Sequence, residues 1–146
     1  MTQSSIPLIH YTGSPDLFTT PQFREGVHVK ELTTEDTSII TQCIDLFNSE
    51  LTWDGMFDLD TAIFRFNKNH RMFALMYNDQ VLGHTWFDDS YMYNFFVSET
   101  RVEGDSKDFC HYVCKLIGKE ITGHIDVFNT KSQKFFEDIG FTRIIS

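Results

Sequence analysis

Between Tyr91 and Phe141 the chain passes twice from an apolar, strand-like run into an amphipathic, helix-like one. Tyr91 to Val97 leads through Arg101-Val102-Glu103-Gly104-Asp105-Ser106 into Phe109, Tyr112, Val113, Leu116 and Ile117 at helical spacing, with Gly118 placed as the stop. Ile121 to Phe128 then meets a second helix that opens at Asn129 and ends at Gly140. Two strand–turn–helix units in succession require helices laid on a sheet. The first turn also constrains function. It aims backbone N–H groups and the positive end of a helix dipole at one point, where an anion can sit. Gly104 permits close backbone approach, Arg101 adds a fixed charge and Ser106 a small hydroxyl. Acidic turns containing glycine are usually only turns. The flanking strand and amphipathic helix make this one a candidate holder of the phosphates of a nucleotide-containing cofactor.

At 146 residues, 41% of them hydrophobic, the chain is long enough for one domain with a core of its own. Most of its fifteen Phe, five Tyr and two Trp must be core. A net charge of −9 argues against nucleic acid and against anionic membranes as partners, and would favour a cationic small molecule or a basic peptide end. Solubility alone is the ordinary account of that acidity. Three cysteines do not make a disulfide framework. No basic, apolar leader and no run long enough to cross a membrane is visible, so a cytoplasmic protein is expected.

In chain order, residues 1–26 hold all three prolines and read as an arm packed on the domain: a short edge strand over Ile6 to Tyr11, then a surface loop over Thr12 to Gly26. Val27 to Leu32 alternates as a strand with one buried face. Thr33-Thr34-Glu35-Asp36 reads as a helix start with a hydroxyl cap and acids in the first turn. The helix carries Ile39, Ile40, Cys43, Ile44, Phe47 and Leu51, and a second one, capped by Asp60, carries Ile63, Phe64 and Phe66. Arg71 to Tyr77 and Val81 to Phe87 form a hairpin about Asn78-Asp79-Gln80, and Asp88-Asp89-Ser90 links it to the Tyr91 strand. The last strand is Phe141 to Ile145. From Val27 onward the order is β-α-α-β-β-β-α-β-α-β.

The run Asp126 to Phe141 closely resembles the last block of the GNAT superfamily of N-acetyltransferases. Asn129, Ser132, the aromatic pair Phe135 and Phe136, and Gly140-Phe141 fall in register with it. The Arg101 to Ser106 turn is similar to that family's pyrophosphate loop, Arg/Gln-x-x-Gly-x-Gly/Ala, with Ser106 in the final small position. The resemblance covers the C-terminal two-fifths, and the front half agrees in element order. It implies a single mixed α/β domain over 27–146: a central, mostly antiparallel sheet splayed at one parallel pair, with helices on both faces. It also implies acetyl-CoA as co-substrate. The backbone of Val102, Glu103, Gly104, Asp105, Ser106 and Lys107 would bind the pyrophosphate beside Arg101. Phe96 and Val97 would run along the pantetheine arm, Asn129 would reach it, and the thioester would enter between strands ending at Val97 and Phe128. Asn129 also suits a helix cap. Phe136 falls at a cofactor-side position where the family often places a Tyr that protonates the CoA thiolate, and Phe136 cannot do so.

For a general base, His124 lies five residues before Asn129, where some family members carry a glutamate, and it titrates in the useful range. A histidine packed on the sheet is the ordinary reading. Asp88, Asp89 and Tyr93 stand second, the two acids also reading as a hydrated turn. Trp53, Asp54, Phe57 and Asp58 are the expected acceptor side, since aromatic faces with carboxylates suit a cationic amine; helix-packing aromatics beside solvated acids are the alternative. Cys110 and Cys114 share a helix face with no second ligand pair, and with Cys43 they read as core, so no metal is expected. The function implied is N-acetyl transfer from acetyl-CoA to a small-molecule or peptide amine by direct attack. The rival is a non-catalytic CoA-binding or protein-interaction module of the same fold. The N-terminal arm, or a second subunit in a homodimer, is expected to complete the sheet.

Overall fold

The computed structural model describes residues 7–50 and 57–144. Among them, seven strands form one sheet in the order β2-β3-β4-β5-β6-β1-β7. The strands are β1 (Leu8–Gly13), β2 (Val27–Leu32), β3 (Arg71–Tyr77), β4 (Gln80–Asp88), β5 (Tyr91–Val97), β6 (Ile121–Asp126) and β7 (Thr142–Arg143). The helices are α1 (Thr37–Glu50), α2 (Leu59–Asn67), α3 (Asp105–Ile117) and α4 (Thr130–Asp138). Every neighbouring pair is antiparallel except β5 and β6, which are parallel. No helix of the described residues is long and apolar enough to cross a membrane.

Strand β3 shows how the two sides are built. Met72 to Met76 are all buried, so its apolar run is continuous rather than alternating. Phe73 and Leu75 enter a core with Phe109, Cys110, Val113 and Cys114 of α3, against which Phe135 and Phe136 of α4 pack. Met72, Ala74 and Met76 enter a second core with Ile40, Cys43, Ile44 and Phe47 of α1 and Ala62 of α2. Helices therefore cover both faces of the sheet. Cys43, Cys110 and Cys114 are all fully buried, as small hydrophobes.

Several local expectations give way to packing. β1 is an interior strand, paired with β6 over its whole length and with β7 at Tyr11 and Thr12. Its alternating pattern buries Ile9 and Tyr11 on the α3 side, and β7 covers the hydrogen-bonding side that would otherwise be an edge at Tyr11 and Thr12. The segment after it is not a plain surface loop, because Phe18 is buried and stacks on His111. Asp36, not a threonine, organises the start of α1: its carboxylate accepts from the Thr33 amide at 2.8 Å, and the first turn holds no acid. Asp58, not Asp60, caps α2, accepting from the Thr61 amide at 2.8 Å. Leu116 of the α3 stripe and Phe64 of α2 stay 49% and 62% exposed; Cys110, Cys114 and Ala62 take the core positions instead.

The α1/α2 core contains an unusual polar residue. His84 is fully buried between Phe47, Phe57 and Phe96, and neither ring nitrogen makes a hydrogen bond to any of the described residues. Burial, helped by the charge of Arg65, pushes its pKa down to about 3. An unfolded histidine protonates near 6.5, so between those values the unfolded chain binds the extra proton and stability falls as pH falls. The loss is up to about 1.4 kcal/mol per pH unit. Urea denaturation of His84→Leu between pH 7 and pH 4 should therefore show a shallower acid-side loss than the wild type; parallel curves would refute the assignment.

Candidate active site

β5 and β6 meet at one register pair, Tyr91 and Thr122, closed by the Thr122 amide donating to the Ser90 carbonyl at 3.0 Å. Beyond that pair the strands diverge, and the edge of β5 toward β6 has no ladder partner. Just past the junction β5 bulges. Its pairing with β4 jumps from Trp86–Tyr93 to His84–Phe96, and Asn94 takes a left-handed φ of 51°. Gly83 makes room on β4, where a Cβ would lie 2.3 Å from the Phe96 carbonyl oxygen. The bulge thus turns β5 backbone toward the gap.

Two adjacent cavities occupy the divergence. One, of about 200 Å³, lies in the gap and is lined by Tyr11, Tyr93, Asn94, His124 and Asp126, among others. The other, of about 750 Å³, lies beyond the strand ends and is lined by Phe96, Val97, Arg101, Glu103, Gly104, Ser106 and Lys107. They share Phe95, Asn129, Ser132 and Phe136. The larger volume falls in the range of small-molecule sites. Its charged lining is balanced: Arg101, Lys107 and Lys131 against Glu50, Glu99 and Glu103.

The turn before α3 divides its amides. Arg101 N–H donates to Ser98 O, Val102 N–H to the Asp105 carboxylate, and Asp105 N–H to Val102 O. No acceptor among the described residues takes the amides of Glu103, Gly104, Ser106 and Lys107, so those four remain for an anion at the helix start. Gly104 reaches this geometry with φ 96°, and a Cβ there would meet nothing within 4 Å. The Arg101 guanidinium rests on the Ser98 carbonyl at 3.1 Å, at the mouth of the cleft.

The sequence-derived site residues are only partly brought together. Phe96, Val97, Arg101, Glu103, Gly104, Ser106, Lys107, Asn129 and Phe136 all line the larger cavity. Val102 and Asp105 do not. Asp105 is turned inward, 4% exposed, and receives Nε and Nη2 of Arg24 at 3.1 Å each. It braces the turn through its side chain. Asn129 caps α4, accepting from the Ser132 amide at 3.1 Å, and also lines both cavities. His124 lines the smaller cavity, its Nδ1 2.7 Å from the Tyr91 hydroxyl and its ring 4.1 Å from that of His10. Burial, then the His10 charge, lowers its pKa.

The acceptor side fares differently. Trp53 and Asp54 lie outside the described residues. Phe57 is 3% exposed, stacked on His84 and edge-on to Trp86, so it is a core side chain with no open face. Asp58 spends its carboxylate on the α2 cap. Near the smaller cavity, two of the second-line base candidates, Tyr93 and Asp88, are joined by a residue not read from the sequence, His70. Tyr93 is held by His70, whose Nδ1 is 2.6 Å from the hydroxyl, and His70 Nε2 is 3.5 Å from Asp88. His70 lies after α2 with no periodic signal to mark it. Its partner is twenty-three residues away and becomes visible only once β4 and β5 pair. No group of three or more metal-ligating side chains is formed among the described residues.

No protein-family model matches the sequence, and no curated protein does. Solved structures do. A functionally unknown conserved protein of Staphylococcus epidermidis superposes with a TM-score of 0.70 at 13% identity, over 94% of this chain and 57% of that one. An aminoglycoside acetyltransferase from an uncultured soil metagenomic sample, in complex with sisomicin, gives 0.64 at 17% identity, over 78% and 87%. A tandem GNAT protein from the clavulanic acid biosynthesis pathway gives 0.64 at 14% identity, over 96% and 51%. The chain thus spans little more than half of the first and third. At these identities the likeness establishes architecture: this is the fold of the GNAT acetyltransferases.

The brace behind the turn is testable by itself. Asp105→Ala leaves Arg24 and the Val102 amide without their shared acceptor. It should cost about 2 kcal/mol, read as a lower midpoint in urea; an unchanged midpoint would show that the turn holds without it.

Proposed function

We propose that this chain transfers an acetyl group from acetyl-CoA to a primary amine by direct attack, without an acyl-enzyme. The observation that carries the reading is the adjacency of three features, in two cavities that share four lining residues: four free amides at the start of α3, an unpaired β5 edge and the gap where His124 stands. The pyrophosphate belongs on the Glu103–Lys107 amides with Arg101 and Lys107, and the pantetheine arm along Phe96 and Val97 with Asn129 beside it. The acetyl group then comes to rest at the bulge, where β5 amides polarise its carbonyl. His124 takes the proton of the attacking amine. Its lowered pKa keeps it in the neutral, accepting form at pH 7. Net charge −9 favours cationic acceptors, and the neighbour bound to an aminoglycoside supports a small polyamine-like acceptor. A cytoplasmic location suits the co-substrate.

The second reading, a CoA-binding module without turnover, is favoured by one observation: Phe136 lines both cavities and brings no hydroxyl.

Saturating acetyl-CoA should raise the melting temperature, the added stability reaching about 2.7 kcal/mol at a hundredfold excess over Kd. Gly104→Val, strained at φ 96° and projecting into the cleft mouth, should lose most of that shift; a full shift in the variant would put the phosphates elsewhere. Thiol release with a panel of amines, sisomicin included, separates enzyme from binder. His124→Ala should lower kcat about a hundredfold with the acetyl-CoA shift intact. Wild-type activity should fall as pH drops through a value below 6.5, the sign expected for a base whose pKa is lowered. Full turnover by His124→Ala would remove it from the reaction.

A further inference from the structure

His10 belongs to no motif, yet β1 seats it directly opposite His124 on β6. Residues opposite each other on antiparallel strands share a face and stand about 5 Å apart at Cβ. Here the two rings are in contact, their centroids 4.1 Å apart and their planes inclined by 74°. Both side chains reach solvent. The backbone beneath them is fixed, because β1 is laddered to β6 along its length and the His10 carbonyl accepts from the Ile144 amide at 2.9 Å. Side chains carried on paired strands hold their spacing better than side chains on loops.

The ring nitrogens divide as metal ligands do. Nδ1 of His124 lies 2.7 Å from the Tyr91 hydroxyl. A metal ion on Nε2 selects the tautomer whose Nδ1–H donates to that oxygen, the outer bond that orients a ligating imidazole. Nε2 of His124 and both nitrogens of His10 have no hydrogen-bond partner among the described residues. Two imidazoles on one tetrahedral ion need their nitrogens about 3.4 Å apart, given bonds of about 2.0–2.1 Å. Rings with centres 4.1 Å apart reach that spacing by turning, and His10 turns freely about its broad outer torsion. Imidazole nitrogens suit borderline divalent ions, and a net charge of −9 draws a cation. The three cysteines, which would compete for such an ion, are fully buried. Two protein ligands are fewer than the four of a structural zinc site, so the ion keeps open positions and exchanges.

We propose that His10 and His124 form a two-ligand site for a borderline divalent metal ion such as zinc, and that the bound ion switches the proposed base off. The switch rests on the acyl-transfer reading above; the site does not. Coordination occupies the Nε2 lone pair that would otherwise take the amine's proton. It also sets positive charge where a cationic amine would arrive. Both effects fall on the amine. The phosphates of acetyl-CoA belong at the start of α3, so the cofactor binds as before. His10 takes no part in the proposed transfer and is the residue that makes it sensitive to metal. Tyr91 acts through His124, as a positioning residue.

The probe is zinc chloride, titrated into the whole, tag-free chain in a non-coordinating buffer above the ordinary histidine pKa of about 6.5. Calorimetry should show one equivalent bound, and no binding of magnesium, which takes oxygen ligands. His10→Ala or His124→Ala should weaken zinc binding about a hundredfold, as for a chelate that loses one arm. Tyr91→Phe should weaken it about tenfold. In nitrogen NMR, zinc should move one ring resonance of each of His10 and His124. Should His10→Ala fold poorly, His10→Thr, suited to a strand, takes its place. Zinc should lower turnover of the most active amine and leave the acetyl-CoA melting shift intact. In His10→Ala, measured against its own zinc-free rate, about a hundredfold more zinc should be needed. No zinc binding, or an equivalent that survives loss of either histidine, would overturn the site. Zinc held by both rings with turnover unchanged would overturn the switch and His124 as base, while the site stood. A chain that acetylates no amine would overturn the acyl-transfer reading and the switch with it, and calorimetry and NMR would still decide the site.

Discussion

Tyr91 and Thr122 form the one register pair at which β5 and β6 meet, and the cleft exists because their ladder stops there. Parallel strands that stayed paired would satisfy each other's backbone groups and leave no opening. By parting after one pair they leave an unpaired edge on β5, which costs free energy unless water or a ligand meets it. The Asn94 bulge and the glycine at 83 belong to the same device: one turns the backbone into the gap, the other lets β4 stay close while it does so. Helices α3 and α4 then begin on either side, so two helix N-termini flank the mouth.

What surrounds the opening is rigid. The turn before α3 ties up its inward-facing amides with Asp105, and Arg24 from the N-terminal segment locks that carboxylate in place. The aromatic rows beside the gap are stacked on one another, Trp86 on Tyr93 and Tyr93 on Tyr91. Buried polar atoms without a hydrogen-bond partner among the described residues collect on the α1/α2 side: both nitrogens of His84, Nε1 of Trp86 and Nη1 of Arg65. Stability is conceded there rather than at the turn, a pattern typical of sites where polar groups are kept in an apolar setting.

Sequence periodicity carried the half of the chain where local rules decide. The bounds of β5, the Asn129 cap, the Gly118 stop and the strand–turn–helix order all follow from neighbours within a few residues. Gly104 as the turn glycine and Asn129 as the helix cap were legible because both roles are set by the local backbone. Misreadings arose where distant contacts win. Asp105 reads as one more amide open to an anion until the Val102 carbonyl takes its N–H and Arg24 its carboxylate. Phe57 looks like an open aromatic until His84 and Trp86 surround it. Two acids spaced by one residue, Asp58 and Asp60, both suit a cap, and only the Thr61 amide decides between them. His70 has no pattern of its own and gains meaning only from a tyrosine two strands away.

The placement of β1 bears on how the chain reaches this fold. Its partners on β6 lie more than a hundred positions downstream, as in His10 with His124, while β3, β4 and β5 pair through short hairpin links and β2 pairs with β3 at less than half that distance. Loop closure over that distance is slow compared with hairpin formation. β1 therefore has to wait for a strand synthesised long after it. Its apolar side chains, Ile9 and Tyr11, stay uncovered meanwhile, which makes this stretch the natural client of a holding chaperone during synthesis.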